Sequence, residues 1–183
     1  MRKTFIRFFT IADYKEEENW LREQHRNGWK MTGMTLPCFY TFESCAPEDV
    51  IYRLDFKNEQ PNGEYMQLAK DFGWEYFEDC AGWLYFRKSA DSAEADGEDE
   101  LFSDDASRLD MVRRIVKTRL LPLAAIFLCC VIPNLITALN GGMSVFSGFF
   151  IFFGGIMFVV YSYMILHCGF KLRRIREQLS EGR

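Results

Sequence analysis

The residues in this chain that could do chemistry are aromatic and acidic rather than nucleophilic. Trp20, Trp29, Trp74 and Trp83, with Tyr40, Tyr52, Tyr65, Tyr76 and Tyr85, are interleaved with Asp55, Glu75 and Glu78. Rings with a carboxylate beside them could cage an apolar cation, each contact contributing about 0.5–2 kcal/mol. That reading selects Trp29, Tyr40, Asp55, Trp74, Glu75, Trp83 and Tyr85 as a surface for a small apolar ligand or a partner protein. The competing use of the same rings is to fill the core of a small sheet, because each buries a large area. Arg53 and Asp55, two apart on one strand, either pair across a sheet or line a solvated edge.

Catalysis finds little support. His25 stands on a charged stretch expected to face water, and Cys45 and Cys80 have no base at a recognisable spacing. A Gly-rich phosphate loop, a CxxC pair and zinc-like Cys/His spacing are all missing from the sequence. The expectation is a non-enzymatic protein with no catalytic residues, no metal and no cofactor.

The elements that would position the aromatics come twice in one order. Residues 4–11 read as a strand, rich in aromatic and β-branched side chains. Asp13 and Glu16 look like a capping box opening a helix to Asn27, with Trp20 and Leu21 on its buried side. Gly28 stands where a left-handed residue closes a helix, and strands at 29–36 and 38–43 follow around Pro37. The pattern then restarts. A half-buried strand at 50–56 leads through the turn Gln60-Pro61-Asn62-Gly63 into a helix carrying Tyr65, Leu68, Ala69 and Phe72, closed by Gly73. Strands at 74–78 and 82–88 complete it. Laying one half on the other pairs Trp20 with Tyr65, Gly28 with Gly73, Trp29 with Trp74 and Tyr40 with Tyr85. The expected fold is α+β: a tandem strand–helix–strand–strand repeat over 1–89, forming an antiparallel sheet with both helices on one face. The other face would then be an open aromatic patch.

Beyond residue 89 the composition changes. An acidic linker (90–106) is too polar to fold alone, although Leu101-Phe102 interrupts it. Ser107 and Asp110 look like a second capping box, opening a basic juxtamembrane helix (107–119) with Arg113, Arg114 and Lys117 at headgroup level. Residues 120–139 and 145–167 are two apolar runs without an Asp, Glu, Lys or Arg, joined by a turn at 140–144. Each reaches the roughly 20 residues needed to cross a bilayer, so a transmembrane hairpin is expected, with a basic tail at 168–183. Cations at both outer margins place both termini in the cytoplasm of a multi-pass protein of the cell membrane. The N-terminus is not a cleavable signal, because Arg7 interrupts its apolar run and Asp13 follows. Pro122 and Pro133-Asn134 interrupt the first span. Asn134 could hydrogen-bond across the hairpin or to another copy, and Gly148 and Gly155 could let helices approach closely. With a net charge of −4 and no basic excess in the soluble part, nucleic acid is a poor partner. The six cysteines read as free thiols in a reducing compartment.

Several clusters together resemble a known family. They are Glu17-Glu18 with Trp20-Leu21, Gly28-Trp29, Tyr40-Thr41-Phe42, Tyr52-Arg53-Leu54-Asp55, Gly73-Trp74-Glu75, 82–88 (Gly-Trp-Leu-Tyr-Phe-Arg-Lys) and 100–104 (Glu-Leu-Phe-Ser-Asp). The likeness, from Phe5 to about Ile115, is to the bacterial domain of unknown function 2812. It implies a cytoplasmic domain ahead of membrane helices in Gram-positive bacteria, in genes that often neighbour a phenolic-acid-repressor-type regulator. No catalytic residues come with it. The doubled unit is also similar, in architecture only, to effector-binding domains of gyrase-inhibitor-like and multidrug-sensing proteins. Those bind apolar, often cationic compounds between their halves, and fold alone does not carry function. The favoured expectation is a membrane-anchored sensory or regulatory protein whose aromatic domain binds a small apolar ligand or a partner protein. The alternative is an accessory subunit that recognises a membrane complex through its hairpin. The bilayer is the expected partner in either case, and a homo-oligomer is possible.

Overall fold

The computed structural model describes residues 1–57, 63–92, 105–140 and 145–181. The expected turn residues 60–62, most of the acidic linker with Leu101-Phe102, and the turn residues 141–144 lie outside them. Two compact units divide the chain, Met1–Met111 and Val112–Arg183.

The first unit carries the doubled order. Its elements are β1 (Arg2–Ile6), α1 (Tyr14–Arg26), β2 (Trp29–Thr35), β3 (Phe39–Ser44), β4 (Val50–Phe56), α2 (Gly63–Asp71), β5 (Glu75–Cys80) and β6 (Trp83–Ser89). The strands form two antiparallel three-stranded sheets, ordered β1-β3-β2 and β4-β6-β5, so each half closes its own sheet with its last strand in the middle. Each has an irregularity at a matching place, between Met31 and Gly33 in β2 and between Tyr76 and Glu78 in β5. Gly28 and Gly73 both follow their helix with φ near +80° (82° and 78°) and donate their amides back, to His25 O and Lys70 O. A side chain at either position would be strained by that φ and would meet Cys45 O or Lys88 at 3.2–3.3 Å.

Two features differ from the single sheet with helices on one face. The pairing is interrupted between β2 and β5, which run side by side and are bridged by Arg87 Nη1 donating to Met31 O (3.2 Å). The helices also divide between faces. Tyr85 points to α1, where it bonds Glu17, whereas its neighbour Phe86 packs with Ile51, Ala69, Trp74 and Leu84 under α2. Successive strand residues face opposite ways, so α1 and α2 cover opposite faces of the second sheet. The cause is the polar side of α1. Glu18 accepts the amide of Leu54 on β4 (2.8 Å), and His25 bonds the Tyr52 hydroxyl (2.8 Å). Trp20 meanwhile keeps α1 on its own half, against Phe5, Tyr40 and Phe42, so the helix packs on both sheets.

Element ends also shift for physical reasons. β1 stops at Ile6 because its partner β3 begins at Phe39, leaving only Arg7 N to bond Cys38 O (3.0 Å). Asp13 does precede α1, but its carboxylate turns back to Thr10 N and Oγ1 (2.8 and 2.5 Å) instead of capping forward.

In the second unit the helical path runs from α3 (Asp105–Ile115), which begins in the first, through α4 (Leu121–Ile126) to α5 (Ile132–Asn140). Ser107, expected as a cap, lies inside α3. Two wider π turns, Val116–Leu120 and Phe127–Val131, separate these segments. Each ends two residues before a proline, Pro122 or Pro133. A proline has no amide to offer the carbonyl four residues back and its ring collides with it, so the preceding turn loosens. The return helix, α6, is continuous over Val145–Glu181, 37 residues. It meets the first helical run where Phe127 packs on Phe158 (5.3 Å) and Tyr161 (6.2 Å). Two segments, Ser107–Asn134 and Ile151–Ile175, are long and apolar enough to cross a membrane. Asn134 donates to its own helix, at Cys130 O (2.7 Å), not across the hairpin. Gly155 has open space around it rather than a close neighbour, and the surroundings of Gly148 lie outside the described residues.

Candidate functional site

Helix α1 places Tyr14, Glu17, Glu18, Leu21 and His25 on one side, at the three- and four-residue steps of a helical stripe. Such a stripe is usually apolar, yet three of these five carry a carboxyl group or an imidazole and all five are buried. Glu17 is the centre. One oxygen, Oε1, accepts the Tyr40 hydroxyl at 2.9 Å and the Tyr85 hydroxyl at 2.8 Å. These tyrosines occupy matching positions in the two halves, so both halves converge on one carboxyl group. Met34 Sδ lies 3.2 Å from the Tyr85 oxygen, and the Trp20 ring stands 5.0 Å from that of Tyr40.

Burial raises the pKa of Glu17 above the usual carboxylate range, with the two phenols pulling the other way. Burial and the Glu17 charge push both phenols far above their ordinary value, so they remain donors. Nearby, Cys80 is also shifted up by burial and by Glu78, which disfavours the thiolate a nucleophile would need.

A second polar group occupies the same side of the second sheet. Tyr52, pushed up to about 12 by burial, bonds His25 Nδ1. The His25 pKa is lowered, first by its own burial, with Arg87 and Lys30 adding to it against Glu48. This corrects the expectation of an exposed histidine. Arg87 takes both Glu75 oxygens at 2.6 Å and lies over the Phe77 ring at 4.6 Å. Burial opposes the Arg87 charge, and the Glu75 carboxylate outweighs it.

The seven residues selected from sequence are therefore not one surface. Tyr40 and Tyr85 meet at Glu17. Trp83 shares their sheet face, stacked on Tyr14 (5.7 Å) and edge-on to Phe56 (5.3 Å). Glu75 holds Arg87, and Trp29 packs on Phe5 beneath Lys3 (5.5 Å). Trp74 and Asp55 are on the other side, Trp74 in the core under α2 and Asp55 buried with the Tyr65 hydroxyl at 2.8 Å. Asp55 thus lines no solvated edge, and Arg53 reaches Glu18 (3.7 Å). An open patch containing Trp83 and Tyr85 does not exist, because α1 covers it. Several rings already serve the chain's own cations. Arg7 lies over Phe9 (5.2 Å) and Trp20 (5.1 Å), and Lys3 over Phe5 (4.6 Å).

Glu17 entered the sequence reading only through the family resemblance and His25 only as a residue expected to face water, neither as a site residue. The signal for both was spacing: ionisable residues in step with Tyr14 and Leu21 on the buried stripe. Among the described residues no group of three or more His, Cys, Asp or Glu could hold a metal ion.

No curated protein and no solved structure matches the chain. One family model does, over residues 13–124, from the start of α1 into the first apolar span. It begins later than the resemblance noted above and runs past Ile115. With well over half of its length covered, the chain belongs to the DUF2812 family, described as a protein of unknown function.

Proposed function

We propose that this is a non-enzymatic sensory or regulatory protein of the cell membrane whose N-terminal unit, facing the cytoplasm, binds a small apolar cation at Glu17. The observation that carries the reading is one buried carboxyl group shared by tyrosines from the two halves. A desolvated carboxyl gains most from an arriving positive charge, since little water competes for it. A ligand there touches both halves at once, and its binding energy acts on how they are held together. Two helices long and apolar enough to cross a membrane support the location, and the basic margins support termini on the cytoplasmic side.

The test is thermal unfolding of the full chain in detergent, followed by tryptophan fluorescence. Tetraphenylphosphonium should raise Tm in the wild type and not in Glu17→Gln, which keeps an acceptor for both phenols. Neutral triphenylphosphine oxide should have little effect on either. Equal shifts from cation and neutral compound, or the same cation shift in both proteins, would remove the basis of the proposal.

A further inference from the structure

The two sheets begin on matching strands, β1 and β4, that differ in what occupies their outer edges. Antiparallel neighbours exchange backbone bonds at every second residue. Ser44 N donates to Met1 O and Arg7 N to Cys38 O, so the odd-numbered residues of β1 face β3. The N–H and C=O groups of Arg2, Thr4 and Ile6 therefore point away from the sheet. In β4, Ala90 N bonds Asp49 O and Lys57 N bonds Gly82 O, which turns Val50, Tyr52, Leu54 and Phe56 outward. There the chain supplies its own partners. Glu18 accepts Leu54 N (2.8 Å), and Arg53 Nη1 donates to Tyr52 O (2.9 Å). Along β1 no side chain or backbone group among the described residues bonds the outward groups. Four of its five residues are exposed, Ile6 by 68%.

Charge decides which strand such an edge can take. β1 is basic where it starts, Arg2-Lys3, and apolar where it stops, Phe5-Ile6. Against a parallel copy in register, Arg2 would face Arg2 and Lys3 would face Lys3, and like charges directly opposite are destabilising. An antiparallel register centred on Lys3 repeats the second clash. Centred on Thr4, the antiparallel register sets Arg2 against Ile6 and Lys3 against Phe5, and it uses the whole strand. Every outward residue then exchanges both of its bonds with the other copy. Lys3 already keeps such company, its Nζ standing 4.6 Å from the Phe5 ring of its own strand, so the pairing across copies repeats a contact the fold already makes.

We infer that β1 is the pairing edge for a second copy of this chain, joined antiparallel about Thr4 so that two first sheets become one. The contact is the same patch on both copies and closes after two. Phe5 lies opposite Tyr40 in the sheet and packs on Trp20 (6.4 Å), which puts the joint one strand away from the Tyr40–Glu17 bond.

Thr4→Pro removes an outward amide and leaves the bonds to β3 in place, a position where an edge strand tolerates proline. The full chain in detergent should sediment as a dimer that dissociates on dilution. Thr4→Pro should raise the dissociation constant at least tenfold with Tm unchanged. A second variant leaves the backbone alone: with benzoylphenylalanine in place of the exposed Ile6, irradiation should give a covalent dimer whose adducts map to residues 1–4 of the other copy. That mapping decides the matter if Thr4→Pro proves to unfold the sheet. A wild type that is monomeric at every concentration, a dimer that a folded Thr4→Pro leaves equally tight, or adducts from position 6 that are absent or confined to other elements would each overturn the pairing.

Discussion

Tyr85→Phe tests the centre of the first unit directly. The change removes one oxygen, leaves the ring, and takes from Glu17 a donor now at 2.8 Å. A hydrogen bond to a charged group contributes about 1.5–3 kcal/mol. For a unit of this size, taking about 4 °C per kcal/mol, the expected fall in Tm is about 6–12 °C, read by tryptophan fluorescence on the full chain in detergent. Tyr40→Phe should behave similarly. The double variant should lose less than the two singles added at neutral pH, because both bonds end on Oε1 of one carboxyl group. With one phenol gone the raised Glu17 pKa climbs further, so the second phenol is removed from a carboxyl group that holds its charge less firmly. In a Glu17→Gln background each tyrosine change should cost only about 0.5–1.5 kcal/mol. The sign with pH follows from the same shift. Native Glu17 binds its proton more tightly than the unfolded chain does, so its ionisation costs stability as pH rises from the ordinary value of 4.5 through the raised native value. Glu17→Gln should therefore gain on the wild type across that window. A loss under about 0.5 kcal/mol for Tyr85→Phe, or an equal loss in both backgrounds, would refute the shared-carboxyl account.

Other expectations are simpler. His25 is shifted the opposite way. Its native pKa lies below the ordinary value of 6.5, so the stability tied to it is complete above 6.5 and is lost as pH falls through that value toward the lowered one; His25→Gln should flatten the fall in Tm between neutral and mildly acidic pH. Trp74→Ala, in the core under α2, should cost about 3–5 kcal/mol in denaturant unfolding. Asp49→Asn weakens pairs with Arg22 (2.6 Å) and Arg26 that are partly exposed, and should cost no more than about 1 kcal/mol. Asn134→Leu should leave the oligomeric state in detergent unchanged by sedimentation, since its amide already donates to Cys130 O.

The order of elements in the first unit was legible because each strand and helix there has a clear period and the two closing glycines fall at equal intervals. Strand β4 was legible to the residue, Val50–Phe56. The face taken by α1 was not legible. It depends on Glu17, Glu18 and His25 finding partners on β3, β4 and β6, and long-range polar pairing leaves no periodic trace in a sequence. For the same reason Tyr40 and Tyr85 could be named while the carboxyl group joining them went unnoticed. Prolines announced where the first apolar helix would loosen. They did not say that Asn134 would spend its amide on its own backbone, at Cys130 O.

The Glu18–Leu54 bond has a wider consequence. Strand β4 terminates its sheet, and a terminal strand with bare amides recruits foreign strands into polymers. Here the carboxylate of a helix occupies one of those amides, so α1 also serves as a guard against self-templating. A chain deprived of that helix would be exposed to edge-to-edge assembly, with insolubility as its first symptom.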